Sequence, residues 1–194
     1  MQTPPASAFG DLEQPSRIRL ICLACSQQNL AQYRAWAHTL NDYIELMAVD
    51  VERDAGCAPS DPQRGPSALA HVIADRLQPF LSEPHALFGQ HLGAHMAFEL
   101  AQLAERRFPG RTRHLFVSSC DSPRVTAPFA DEQALRMPVT VLYPAGALPG
   151  MLGWHAFARR ELELIELPEP NPDTSSLDQR FVRIFNTHLG LLSF

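Results

Sequence analysis

Apolar positions in this chain follow two rhythms in turn. Ile18 to Leu23 is an apolar, β-branched run suited to a buried strand, and Leu30 to Leu40 then places Tyr33, Trp36, Ala37 and Leu40 on one helical face. Ile44 to Val51 returns to the strand pattern. From Glu52 to Ser67 the chain collects Gly56, Pro59, Pro62, Gly65 and Pro66, which predicts an irregular surface connection. Ser67 is placed to cap a helix whose inner face holds Leu69, Val72, Ile73, Leu77 and Phe80 and which ends near Pro84. Pro84 to Phe88 reads as a short buried strand and Ala94 to Arg107 as a helix, stopped by Gly110. His114 to Ser118, Met137 to Tyr143 and Leu162 to Leu167 are further strands, and a helix from about Leu177 to His188 closes the pattern. Trp154, Phe157, Phe181, Val182, Ile184 and Phe185 read as core.

Strands alternating with helices in this order predict an α/β sandwich: a mostly parallel sheet, helices on both faces, right-handed crossovers. Residues 1–16, rich in Pro, Ser and acidic side chains without periodicity, read as a loose arm, and residues 17–194 as one domain. A 194-residue chain with 45% hydrophobic content supports one sizeable core.

Charge narrows the partners. Sixteen basic against 21 acidic residues give -5, and the basic ones are scattered along the sequence, which argues against a nucleic-acid footprint. No apolar run approaches ~18 residues, and Met1 to Ala6 lacks the regions of a signal peptide, so a soluble cytoplasmic protein without membrane contact is expected. Cys22, Cys25, Cys57 and Cys120 do not make a disulfide framework, and free thiols agree with a reducing compartment.

The segment that carries candidate chemistry is Gly89-Gln90-His91-Leu92-Gly93. Its spacing and its strand-turn-helix context are those of a nucleophile elbow, with histidine where the nucleophilic serine belongs. Leu87 to Ala94, followed by Ala97-Phe98-Glu99-Leu100-Ala101, resembles the L-F-G-H-S-M-G-A and A-F-E-L-A segments of the type II thioesterases, editing enzymes of α/β-hydrolase fold that accompany polyketide and nonribosomal peptide synthases. Arg19 to Leu23 with Tyr33 to Trp36, His114 to Ser118, and Pro138 to Val141 resemble that family's neighbouring core segments. The resemblance runs from about Arg17 to the C-terminus. It implies an α/β-hydrolase-like single domain, and an acyl carrier protein, peptidyl carrier protein or synthase subunit as partner.

The departures from the family pattern are concerted. His91 replaces the serine. Tyr143 to Leu148 offers no carboxylate where the family's acid turn lies, and Glu169-Pro170-Asn171-Pro172 stands where its histidine turn lies. Gln27 and Gln28 replace two glycines of the oxyanion loop and are expected to crowd it. About 48 residues separate the elbow from the Val139 strand, too few for the family's lid insertion.

These losses point to a thioesterase-like accessory or binding protein without ordinary serine hydrolysis. The alternative is an active acyl-thioester hydrolase or acyltransferase with a rearranged site: His91 as base or nucleophile, Cys25 as a candidate thiol nucleophile, and Asp121 as the acid orienting the imidazole. Against these stand ordinary roles, Cys25 as a small buried apolar residue and Asp121 as a turn cap. His91, His95 and Glu99 recur every four residues, but a metal site needs a further ligand, and none is expected. Cys22 and Cys25 match C-x-x-C at a strand end, without the helix dipole that lowers a redox thiol's pKa. No cofactor is implied, and oligomeric state stays open.

Overall fold

The computed structural model describes residues 17–54, 67–123, 134–168 and 175–191. Six strands, β1 (Ile18–Ala24), β2 (Ile44–Asp50), β3 (His85–Gln90), β4 (Thr112–Ser118), β5 (Val139–Pro144) and β6 (Leu162–Leu167), form one sheet in the order β2-β1-β3-β4-β5-β6. Every neighbouring pair is parallel. This is the α/β sandwich expected, with the sheet parallel throughout.

The reason lies in the strands themselves. β1, β3 and β4 are buried along almost their whole length, because their alternate side chains enter two separate cores. Ile21, Leu23, Leu87, Leu115 and Val117 point toward α2 (Ala68–Arg76) and α4 (Leu92–Arg107). Leu20, Cys22, Phe88, Phe116 and Leu142 point toward α1 (Gln27–Trp36) and the C-terminal helix (Ser175–Gly190). There Phe88 meets Tyr33, Trp36, Phe181 and Phe185 with ring centroids 5.0–5.6 Å apart, a cluster that fastens both helices to the centre of the sheet.

Three expectations need correction. The helix after Ser67 does not run through to Pro84: it gives way at Leu77 to a one-turn helix, α3 (Gln78–Leu81), with Pro79 in its first turn, where the missing N–H is tolerated. Its buried face is Ala70, Ile73, Ala74, Leu77 and Leu81, so Val72 is exposed and Leu69 and Phe80 are half-buried. Two alanines take the inward stripe because α2 lies close against α4. Phe80 instead carries the Arg19 guanidinium 4.9 Å above its ring. In α1, Ala37 lies beyond the last turn and is exposed, leaving Leu30, Tyr33 and Trp36 as the buried stripe.

Between β5 and β6 the chain makes a short helix, α5 (Leu148–Met151), and a 3-10 turn (Leu152–Ala156), which seat Met151, Trp154 and Phe157 in the core. The expected N-terminal arm, Cys57 and Glu169-Pro170-Asn171-Pro172 lie outside the described residues, as does most of the Glu52–Ser67 connection. Among the described residues of the β4–β5 connection, 119–123 and 134–138, there is no helix. No helix of the described residues is long and apolar enough to cross a membrane.

Candidate active site at the carboxyl end of the sheet

All six strands end on one edge, and the elbow is the turn in which β3 passes into α4. His91 sits at its tip with φ 50° and ψ -117°, one of two non-glycine residues at positive φ among the described residues. Such a conformation persists only when the surroundings fix it. Here they do. The His91 N–H donates to Ser118 O at 3.0 Å on β4, and His91 O accepts from Ala94 N at 3.0 Å.

The two glycines are required by close approach. A Cβ on Gly89 would stand 2.0 Å from Gly93 O, and one on Gly93 2.4 Å from Leu23 O. Both obstacles are backbone, so no side-chain rotation relieves them. The glycines let α4 start directly over the end of β3 and against β1.

What the turn presents is a histidine exposed to solvent, and its ring has no hydrogen-bond partner among the described residues. As N-cap of α4, His91 gives no side-chain cap, and the Leu92 and Gly93 amides, unlike that of Ala94, have no acceptor among the described residues. Leu92, next in the chain, is 71% exposed. The turn thus has the backbone shape of a nucleophile elbow.

The flanking loop keeps its shape differently. Ser26 caps α1 by accepting from Asn29 N at 3.1 Å. Gln27 and Gln28 are both exposed, and Gln27 donates to Asp50 Oδ2 at 3.0 Å on β2. That hydrogen bond draws the Gln27 side chain toward β2. The inward contact comes from Gln90, whose Oε1 accepts from Tyr33 OH at 3.2 Å and Asn29 Nδ2 at 3.4 Å.

No hydrogen bond joins Cys25, His91 and Asp121 among the described residues. Cys25 is half-buried behind the elbow, its Sγ 3.9 Å from where a Gly93 Cβ would lie. Burial, with Glu52 and Asp50 adding, pushes its thiol up to about 11, so at neutral pH only about one molecule in ten thousand carries the thiolate. Asp121 is exposed, with its carboxylate resting on Gly150 of α5.

The contact that sequence reasoning missed is Cys120 with His95. Cys120 follows β4 and His95 lies one turn into α4, and Sγ and Nε2 are 3.1 Å apart. The thiol also donates to Asp121 O at 3.2 Å, so a carbonyl competes with the imidazole for its single proton. Cys120 is 5% exposed, and burial, with Asp121 adding, pushes it up to about 12. No signal in the sequence pointed to it: the contact depends on the β3–β4 pairing and on the turn after β4.

Glu99 accepts from both the Ser67 N–H and the Ser67 hydroxyl, while that hydroxyl caps α2 at Ala70 N. Glu99 thus fastens α2 to α4, and no group of three or more metal-ligating side chains occurs among the described residues.

A parallel sheet in which a sharp turn at positive φ displays one side chain above a helix N-terminus defines the class: the α/β-hydrolase frame. The thioesterase domain family matches residues 18–143, and the chain belongs to it. Gramicidin S biosynthesis protein GrsT of Aneurinibacillus migulanus is 23% identical over 115 residues, 59% of this chain and 45% of that protein. AMB antimetabolite synthetase AmbE of Pseudomonas aeruginosa is 35% identical over 111 residues, 55% of this chain and 5% of that protein. The matched region spans less than half the length of either relative.

Among solved structures, the RedJ thioesterase of the prodiginine pathway of Streptomyces coelicolor superposes with a TM-score of 0.69 at 23% identity, covering 96% of this chain and 97% of that one. The type II thioesterase BorB of the borrelidin cluster superposes at 0.70 and 18% identity, covering 91% and 94%. At these identities the likeness is one of fold.

Proposed function

We propose that this chain is a thioesterase-family accessory or binding protein of a polyketide or nonribosomal peptide assembly line, working without ordinary serine hydrolysis. The carrying observation is the elbow: its backbone, its glycines and its helix amides are retained, while the residue displayed is an exposed imidazole with no orienting partner among the described residues. An imidazole so placed has neither the hydroxyl nor the neighbouring base on which acyl-enzyme chemistry depends. The relatives' names associate them with gramicidin S and AMB biosynthesis, which makes an acyl or peptidyl carrier protein, or a synthase subunit, the partner of choice. Exposed Leu92 beside the elbow and Leu148 and Leu152 after β5 place apolar surface at the same end of the sheet. The reading includes a soluble, cytoplasmic protein.

A second reading, an acyl-thioester hydrolase or acyltransferase with rearranged chemistry, draws on two observations: Cys25 lies behind the elbow, and Cys120 touches His95. His91, Cys25 and Asp121 would be its first set of residues, Cys120 and His95 its second. Both thiols are held protonated, which favours the binding reading.

One experiment separates them. The purified chain is incubated with an acyl-loaded carrier protein and with a short acyl thioester, beside His91→Ala, Cys25→Ala and Cys120→Ala. Rates equal to buffer for all four, with the acyl-loaded carrier retained in a pull-down, are expected. Turnover abolished by any one substitution would overturn the binding reading.

A further inference from the structure

A second groove lies at the other end of the molecule. It is lined by Thr112, which opens β4, Pro138, which precedes β5, and Glu161, which precedes β6, so it lies at the amino edge of the sheet, opposite the elbow. Its volume is about 830 Å³, the size of a small-ligand site. Arg106 from α4, Arg113 from β4, Arg136 from the approach to β5 and Arg160 from the approach to β6 converge on it, with Arg159 beside them. Arg106, Arg113, Arg136 and Arg160 form no ion pair among the described residues.

Among the described lining residues two carboxylates, Glu105 and Glu161, stand beside the five arginines, in a chain whose net charge is -5. Glu105 is already engaged, because both its oxygens accept from the Arg136 N–H, at 3.1 and 3.2 Å. The carbonyl end of α4 adds about half a negative charge nearby, which the guanidiniums outweigh.

The walls are tied together. Glu105 holds the 135–137 segment to α4, and the Leu135 bridge to Ala158 holds that segment to the one carrying Arg159 and Arg160, through Leu135 N to Phe157 O at 2.7 Å and Arg159 N to Leu135 O at 3.0 Å. Leu135 and Met137, both buried, supply an apolar floor under the arginine rim.

We propose that this groove binds an organic diphosphate, with the phosphates on the arginines and the organic body on the floor. Guanidinium forks match phosphate oxygens in pairs, and arginines approaching from separate elements can grip two phosphate groups at once. The concavity and the apolar floor favour a small molecule of nucleotide size over an extended acidic peptide.

Calorimetric titration of the full chain with ADP, pyrophosphate and adenosine tests this. ADP binds, pyrophosphate competes with it more weakly, and adenosine alone does not bind. Arg113→Ala combined with Arg160→Ala weakens ADP roughly tenfold or more, while Arg34→Ala, an exposed arginine on α1, leaves it unchanged. Circular dichroism melting confirms that the double variant is folded. Absence of ADP binding up to about 5 mM, or equal affinity in the folded double variant, overturns the proposal. Pyrophosphate binding as tightly as ADP overturns the role of the floor.

Discussion

Two turns at the carboxyl edge of the sheet stand in opposite situations. The backbone of the elbow after β3 is confined by its neighbours: Gly89 lies against Gly93, Gly93 against Leu23, and His91 is held at φ 50° by its bond to Ser118. The turn after β5 also contains a residue at positive φ, Gly146 at 78°, yet nothing lies within 4 Å of the place where its Cβ would be. The elbow's backbone is a packing requirement of β1, β3 and α4, independent of the side chain it displays. At Gly146 the β5 turn meets no neighbour, so its left-handed residue is set by the turn alone. The backbone of such a turn is thus fixed most firmly where the helix must cross the sheet closely, whatever side chain it displays.

The contrast is broken or upheld most directly by alanine. Gly93→Ala and Gly89→Ala force a Cβ into backbone, and each is expected to cost about 3 kcal/mol or more, read as a lower urea midpoint. Gly146→Ala meets only the left-handed backbone penalty, about 1 kcal/mol. Equal losses at Gly93 and Gly146 would show the elbow to be no more constrained than the β5 turn.

Acid probes the strands that carry the elbow. His85, at the foot of β3, donates from Nδ1 to Glu83 O and accepts at Nε2 from the Thr112 hydroxyl, and burial holds it down at about 4. His114 on β4 donates to Thr140 Oγ1, which donates to Glu163. Burial, with His188 adding, holds it down at about 3. Both folded-state values lie below the ordinary histidine value of 6.5, so the unfolded chain takes up protons first. The stability is complete above that value and is lost as pH falls toward the folded values. From pH 7 to 5 the loss is roughly 2 kcal/mol for each histidine, measurable by urea unfolding at pH 7, 6 and 5. A profile flat across that interval would mean that these strands tolerate charge.

The frame was legible in the sequence because burial on both faces leaves an unmistakable mark. Runs such as Ile18 to Leu23 have no other cheap explanation, and the glycine spacing around His91 announced the elbow. Orientation on α2 was not legible. Hydrophobicity favoured Leu69 and Val72 for the inward stripe, but close packing against α4 selected Ala70 and Ala74 by size. The Cys120–His95 contact was hidden for another reason: it depends on a turn after β4 folding back on α4, between residues 25 apart that share no periodicity. The five arginines of the amino-edge groove look scattered in sequence because three strand ends and one helix end deliver them separately.

The smallest expected effects are at His91 itself, and they divide the turn's shape from its chemistry. A non-glycine residue at φ 50° carries roughly 1 kcal/mol of backbone cost, so His91→Gly is expected to stabilise the fold by up to about that amount, less the flexibility glycine adds to the unfolded chain. His91→Ser keeps the strain and loses an exposed ring, so its urea midpoint should stay near that of the native chain. The serine hydroxyl would then stand at the tip of a correctly shaped elbow, above the amides of α4, without a base or an acid to orient one. The imidazole one turn further on, His95, already contacts Cys120, and turning it toward the elbow would break that contact. His91→Ser is therefore expected to hydrolyse a short acyl thioester no faster than buffer. Turnover in His91→Ser that disappears in the His91→Ser, His95→Ala double variant would show that His95 can serve the elbow as a base.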